Sequence, residues 1–207
     1  MKKNLFFFIT LFVAFALSSY TGIEKKSDIS NFKLKSATTN KWVSLSDYKD
    51  AKGFIIIFTS NKCPMAKFYS QRLNQMYGKY KKFGVPLIAI NSMDTLAYAD
   101  ESFRKMQLKV KKENLNFHYL QDKMQNVAKE FKALNTPQAF VIWKVKGKFI
   151  IKYEGAIDDN AGEIEKVKNH YLTDAVYQLL KGNEVQVPKS ESFGCKIFYR
   201  GIEDKMK

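Results

Sequence analysis

A chain of 207 residues with 35 Lys and Arg against 20 Asp and Glu carries a formal net charge of +15, with 45% hydrophobic residues, 14% aromatics and two cysteines, Cys63 and Cys195. Two cysteines cannot build a disulfide-dense scaffold or a four-cysteine zinc site, and this apolar content is too high for a disordered chain. The positive charge is spread as lysine along the whole chain, with only Arg72, Arg104 and Arg200 as arginines, so no basic element interleaved with stacking aromatics marks a nucleic-acid surface.

The chain opens with Lys2 and Lys3, an apolar run from Leu5 to Leu17, and the small and polar exit Ser18, Ser19, Tyr20, Thr21, Gly22. This is the pattern of a secretory signal, short of the roughly 20 apolar residues that span a bilayer. Cleavage after Ser18 is expected, followed by export to the periplasm or another extracytoplasmic space, with no stable membrane insertion once the signal is gone. Residues 19–30 then form a lead, 31–182 one domain, and 183–207 a tail carrying Cys195.

Periodicity gives the elements in order. Phe32–Lys35 and Lys41–Ser44 read as short edge strands before a helical turn at Leu45–Lys49. Phe54–Thr59 is a continuous β-branched and aromatic run, the mark of a strand buried on both faces. A helix is expected from Pro64 to Phe83, closed by Gly84 and Pro86, and Val85–Asn91 is a second buried strand. A lysine-rich helix over 100–113 follows, its Lys105–Lys112 stretch read as a solvated face, then a short strand at Phe117–Leu120 and a helix at Gln125–Lys132. Ala139–Lys144 and Phe149–Tyr153 read as a hairpin around Lys146, Gly147 and Lys148, and Gly162–Lys181 as a last long helix. Trp42 and Trp143 fall in strands as core or half-buried aromatics, and Asp158, Asp159 and Asn160 read as the turn and N-cap of the last helix. This order predicts an α/β fold, a central mixed sheet flanked by helices with an antiparallel edge.

The chemistry concentrates where the first buried strand meets its helix. Pro64 suits the first helical position, which makes Cys63 the N-cap. Its sulfur there faces unpaired N–H groups and the positive end of the helix dipole, with Lys62 and Lys67 nearby, and all of these favour a thiolate. A low-pKa thiol at the carboxyl end of a central strand is equipped to attack a disulfide or a peroxide. Thr136-Pro137, opening the hairpin, is compatible with a cis peptide. The sequence holds no phosphate loop, dinucleotide fingerprint or supported Ser-His-Asp set, so no cofactor and no resident metal are expected.

The blocks FIIIFTSNKCPMAKFYSQRL, PLIAINSMD, NTPQAFVI, YEGAIDDN and YLTDAVYQLLKGNEVQVPKSESFGCKI, in this order, resemble thioredoxin-like proteins of the redoxin and peroxiredoxin type (AhpC/TSA-type), and within them a bacterial peroxiredoxin-like subgroup. The resemblance covers nearly all of the chain after about residue 30. It implies a thioredoxin fold, a redox-active cysteine at Cys63 and a cis-proline at Pro137, with the Thr136 backbone beside the nucleophile and able to pair with an extended substrate.

The departures are informative. Subgroup members often carry Cys-x-x-Cys-Pro, whose first cysteine is replaced here by Ser60. Thioredoxins proper have a second cysteine three residues after the nucleophile, where this chain has Ala66. Cys195, in a tail that matches the subgroup's terminal Gly-Cys block, is the one intramolecular partner left. As a peroxidase, the protein would use Ser60 to orient the peroxide, Cys63 to form a sulfenic acid, and Cys195 or an external thiol to resolve it. Ile56 occupies the place of a peroxiredoxin proline, and no peroxide-holding arginine is assigned; Arg72 and Arg104 are expected on helix surfaces. As a reductase, Cys63 would attack a protein or small-molecule disulfide, with Cys195 or an external thiol reductant completing release. A non-catalytic alternative is a binding module whose Cys63–Cys195 bridge closes a loop of about 130 residues, worth roughly 5 kcal/mol in the chain-entropy model. Copper delivery, with Met65, Met93, His118 or His170 beside the cysteines, is the remoter form of that alternative.

Overall fold

The computed structural model describes residues 28–201, so the apolar leader and the expected cleavage point after Ser18 lie outside the described residues. In chain order the elements are β1 (Asp28–Ile29), β2 (Lys33–Ser36), β3 (Trp42–Ser44), β4 (Gly53–Phe58), α1 (Pro64–Phe68), α2 (Ser70–Tyr80), β5 (Leu87–Asn91), α3 (Phe103–Glu113), β6 (His118–Gln121), α4 (Asn126–Phe131), β7 (Asn135–Thr136), β8 (Gln138–Val145), β9 (Lys148–Gly155), α5 (Tyr171–Leu180) and β10 (Cys195–Lys196). The main sheet runs β1-β9-β8-β4-β5-β6-β2-β3, with β4, β5 and β6 mutually parallel and every other pairing antiparallel. This is the mixed sheet with antiparallel edges that the order of elements predicts.

Strand β4 lies at the centre, and its composition explains why. All six residues are buried, and they alternate between two cores. Ile55 and Ile57 face a cluster that includes Leu73 and Met76 of α2, Met106 of α3, and Leu172, Val176 and Leu179 of α5. Phe54, Ile56 and Phe58 face a second cluster built with Val127, Ala128 and Phe131 of α4. Phe58, Phe131 and Phe140 meet edge to face there, with ring centroids 5.1 to 5.6 Å apart. Full burial of one such side chain stabilises the fold by about 1.5–3 kcal/mol, so the strand that carries the site is held by both faces.

The long helix expected over 64–83 is broken at Tyr69, whose N–H reaches back three residues to the Ala66 carbonyl, the tighter turn of a 3-10 step. The last helix starts at Tyr171 and not at Gly162. The Asp159 carboxylate accepts the N–H groups of Lys168 at 2.9 Å and Asn169 at 3.1 Å, holding the preceding segment as a loop. Asp158 is likewise no helix cap but a buried partner of Arg72, which is therefore not a helix-surface residue. Trp42 is 61% exposed at the start of a three-residue strand at the sheet margin whose other two residues, Val43 and Ser44, are buried, while Trp143 is half-buried. Lys109 departs from the solvated face expected for its helix, packing down to pair with Glu113 at 2.9 Å.

Two pairings bring the site together. β8 lies antiparallel to β4 with Gln138 opposite Phe58, which sets the residues before Gln138 beside the loop after Phe58. Beyond α5 the chain runs along the end of β9, where Glu154 N–H donates to Pro188 O and Ser190 N–H to Glu154 O, both at 3.0 Å. Gly155 is needed at this crossing, because a Cβ there would sit 2.3 Å from Ser190 Oγ. The tail then turns inward, and β10 pairs antiparallel with β7, Cys195 opposite Thr136 and Lys196 opposite Asn135. No helix among the described residues is long and apolar enough to cross a membrane.

Candidate active site

Cys63 is the N-cap of α1, with Pro64 in the first helical turn, and it is only 3% exposed. Its backbone N–H donates to Ser60 Oγ at 3.2 Å, and Ser60 Oγ lies 3.3 Å from Thr136 Oγ1. The Thr136-Pro137 peptide is cis, and the Thr136 carbonyl accepts the Cys63 thiol at 2.9 Å. Thr136 Oγ1 in turn donates to the Cys195 carbonyl at 3.3 Å. All five residues singled out in the sequence, Ser60, Cys63, Thr136, Pro137 and Cys195, thus meet at one place although they span the length of the domain.

The two thiols influence each other. Burial pushes the Cys63 thiol up, but hydrogen bonds to its thiolate from the Cys195 thiol, the N–H groups of Ala66 and Cys195, and the Thr136 hydroxyl outweigh it, leaving the group below the ordinary thiol value. Cys195 moves the opposite way. Burial, the hydrogen bond it gives to Cys63, the negative charge of that neighbour and the Glu101 carboxylate all hold it protonated. The neutral Cys63 thiol gives its proton toward the Thr136 carbonyl, and the thiolate receives the Cys195 proton donor instead. The pair therefore divides into a thiol that ionises more readily and one held protonated.

Glu101, which sequence reasoning missed, shapes the loop. It is 2% exposed, and its two oxygens accept the backbone N–H of Asn61 at 2.7 Å and of Lys62 at 3.1 Å, with Asn91 Nδ2 adding a third contact at 2.8 Å. Asn61 is fixed from its side chain as well, donating to the Asp100 carbonyl at 2.8 Å and accepting Tyr119 OH at 3.0 Å. Lys62, read as a positive neighbour of the sulfur, pairs with Asp100 at 3.2 Å. A carboxylate 40 positions away leaves no local signal in the sequence; only the buried, polar character of Ser60 and Asn61 after an all-apolar strand hints that something must satisfy that loop.

One hollow opens onto the thiols and a second lies against Pro137. The first, of about 500 Å³, is lined by Ser60, Lys62, Cys63, Met93, Cys195 and Phe198 among others, and the second, of about 320 Å³, by Pro137 with Met65, Tyr69, Asp158 and Phe193. The arginines lie elsewhere. Arg72 is bound to Asp158, Arg200 to Asp94, and Arg104 is exposed on α3. The histidines do not join the cysteines either: His118 Nδ1 is 3.0 Å from Ser36 Oγ, and His170 precedes α5. Among the described residues no cluster of three His, Cys, Asp or Glu could hold a metal ion, and of the residues considered for copper only Met93 shares a hollow with the two cysteines.

The arrangement makes a checkable statement about pH. Alkylation of Cys63 follows its thiolate fraction, so the rate is expected to reach half its maximum below the ordinary thiol pKa. Cys195→Ala removes the strongest of the groups that lower it, and the midpoint is expected to rise toward the ordinary value. Ultraviolet absorbance of the thiolate reads this directly; an unmoved midpoint in the variant would exclude Cys195 as the donor.

With this geometry in view, comparisons with known proteins are specific. The model of the AhpC/TSA family matches residues 26–160. Thiol-disulfide oxidoreductase ResA of Bacillus thuringiensis subsp. konkukian is 30% identical over 166 residues, covering 75% of this chain and 91% of that protein. Among solved structures, a hypothetical protein of Sinorhizobium meliloti superposes with a TM-score of 0.76 at 30% identity, covering 86% of this chain and 95% of its own. The thioredoxin domain of a thiol-disulfide oxidoreductase from Bacteroides vulgatus, at 12% identity, shares the fold, with a TM-score of 0.54 over 75% of this chain and 96% of that one. The family match takes in well over half of the sequence, including Ser60, Cys63, Thr136 and Pro137, and the chain belongs to the AhpC/TSA family as a thioredoxin-like thiol oxidoreductase.

Proposed function

We propose that the protein is an exported thiol-disulfide oxidoreductase in which Cys63 attacks a substrate disulfide and Cys195 resolves the mixed disulfide. The observation that carries this reading is the facing of the two thiols across the Thr136 backbone, with opposite shifts in acidity. The Cys63 thiolate displaces one substrate sulfur as a thiolate and bonds to the other. That step removes the negative charge on Cys63 and the hydrogen bond Cys195 gave it, two of the influences that kept Cys195 protonated. Cys195 then attacks Cys63 Sγ, the second substrate sulfur leaves as a thiolate, and a Cys63–Cys195 disulfide remains. Two electrons have passed to the substrate, and an external thiol reductant restores the pair.

Three features favour a disulfide over a peroxide. The Ser60 hydroxyl is engaged by the Cys63 N–H and Thr136 instead of standing free over the sulfur, none of the three arginines lines the hollow at Cys63, and the curated relative is named a thiol-disulfide oxidoreductase. Export rests on the apolar leader with its cationic head. The deciding experiment follows insulin reduction and peroxide consumption side by side for wild type, Cys63→Ser and Cys195→Ser. Disulfide turnover that needs both cysteines supports the reading. Peroxide loss that needs Cys63, without disulfide turnover, assigns the protein as a peroxidase, and inactivity in both assays returns it to a binding module.

A further inference from the structure

The tail around Cys195 is fastened more thoroughly than the delivery of one thiol requires. Upstream, Asn135 Nδ2 donates to the Ser192 carbonyl at 3.0 Å and contacts its hydroxyl at 3.1 Å. Downstream, Ile197 is 3% exposed in the core beneath α4, and its N–H donates to Leu134 O at 2.8 Å. Gln125 bonds the Phe198 carbonyl at 2.9 Å and the Arg200 N–H at 2.8 Å, Tyr199 OH reaches the Ala133 carbonyl at 2.5 Å, and the Arg200 guanidinium closes on Asp94.

Between these anchors the tail is a strand, and the strand occupies a particular edge. β7 ends in the Thr136 carbonyl that accepts the Cys63 thiol, and its backbone groups are paired with β10. An extended peptide bringing a sulfur to Cys63 would be expected to use that same edge, since main-chain pairing is how strands add to an open sheet margin. The approach is so close that Gly194 is required. A Cβ at that residue would lie 2.2 Å from the Thr136 carbonyl oxygen, and φ is +155°. The side chains near Cys195 on either side, Phe193 and Phe198, line the hollow at Pro137 and the hollow at the thiols respectively.

We propose that β10 is a tethered plug: on the β7 edge, where the family resemblance already places an extended substrate, the tail sits as a stand-in strand and must leave before a cysteine-containing peptide can enter. The proposal rests on the thiol-disulfide reading of the same site and adds its order of events. The tail departs and takes the Cys195 donors with it, a substrate strand pairs with Asn135–Thr136, its disulfide is attacked by a Cys63 thiolate that keeps the Ala66 N–H and Thr136 hydroxyl contacts, and the tail returns with Cys195 to displace the bound sulfur. A docked tail lowers the apparent affinity for peptides by the fraction of time the edge is open.

The test uses the full-length mature protein carrying Cys195→Ser, so that Cys63 is the sole thiol. Two reagents are compared: Ellman's disulfide, and a synthetic peptide copying residues 192–198 held as a mixed disulfide with nitrothiobenzoate. In each reaction the Cys63 thiolate forms a disulfide and nitrothiobenzoate leaves, so one absorbance reads both rates. Adding Gly194→Ala, which cannot dock against Thr136, is expected to raise the peptide rate relative to the small reagent by about fivefold or more, the scale expected when a mostly occupied edge is freed. Tyr199→Phe with Arg200→Ala, which cuts two anchors well away from the sulfur, is expected to act in the same direction and serves as the second variant. A ratio that stays below that threshold in both variants, whether the rates rise together or not at all, overturns the proposal. The readout needs no catalytic turnover, so failure of the wild type to reduce protein disulfides would count against the proposed function without altering this result.

Discussion

Cys195→Ser is expected to convert the protein from a turnover catalyst into one that stops at a covalent adduct. With a peptide disulfide in slight excess, the variant forms one Cys63–substrate mixed disulfide per chain, while Cys63→Ser forms none and loses disulfide-reducing activity by about a thousandfold or more, the scale on which loss of a covalent nucleophile acts. The asymmetry follows from the geometry. Cys63 keeps the Ala66 N–H and Thr136 hydroxyl as thiolate-stabilising contacts and can attack without its partner, whereas in Cys63→Ser burial and the Glu101 carboxylate still hold Cys195 protonated. Mass spectrometry of the non-reduced protein distinguishes the outcomes. Equal adduct formation by the two single variants would refute the division of roles, and continued turnover by Cys195→Ser without added thiol would remove Cys195 from the cycle.

The second large effect is on stability. Asp158→Ala is expected to cost about 3–5 kcal/mol, because it strands the charge of Arg72 in the interior. The side chains of the pair are 10% and 4% exposed, the Arg72 guanidinium also reaches the carbonyls of Asn160 at 3.0 Å and Ala161 at 3.4 Å, and Tyr69 OH donates to Asp158 at 2.8 Å. Arg72 further lies over the Tyr69 ring at 4.7 Å. One ion pair therefore ties α2, the break before it and the loop after β9 into a single wall of the smaller hollow. Urea unfolding of wild type and variant gives the difference. A loss below about 1 kcal/mol, the value for an exposed pair, would mean that the interaction is solvated in solution.

What the sequence discloses about this molecule is what short-range rules control. Cys63 before Pro64 reads as a helix cap because capping depends on adjacent residues, and Phe54–Phe58 reads as a doubly buried strand because nothing polar interrupts it. The site's position follows once those two facts are combined with the hairpin. What stays hidden is every polar contact made across the fold. Arg72 and Asp158 are 86 positions apart, and neither residue type announces a buried partner. Glu101 sits in a stretch, Ala99–Ser102, whose composition reads as an ordinary polar helix start, yet it is turned inward to hold two amides of the Cys63 loop. The extra turns of helix expected over 162–170 fail for the same reason. Their polar residues fit a solvated helix, but the Asp159 carboxylate captures the amides of Lys168 and Asn169 first. Trp42 shows the limit of residue type as a guide, since on this marginal strand Val43 is buried while the larger Trp42 side chain is left exposed.

The two sulfurs are mounted on parts of the molecule that yield at very different rates. Cys63 hangs from β4, flanked by strands on both sides and by a core on each face, which is where amide hydrogens exchange only when the whole protein unfolds. Cys195 belongs to a two-residue strand that pairs with β7 outside the main sheet, so it comes free when the tail's own anchors let go, short of unfolding the core. Hydrogen exchange at Ile55–Ile57 and at Cys195–Ile197 should therefore differ by orders of magnitude. Under the proposed order of events, that difference lets one sulfur come and go on a fast clock while the other stays registered to the frame that set its reactivity.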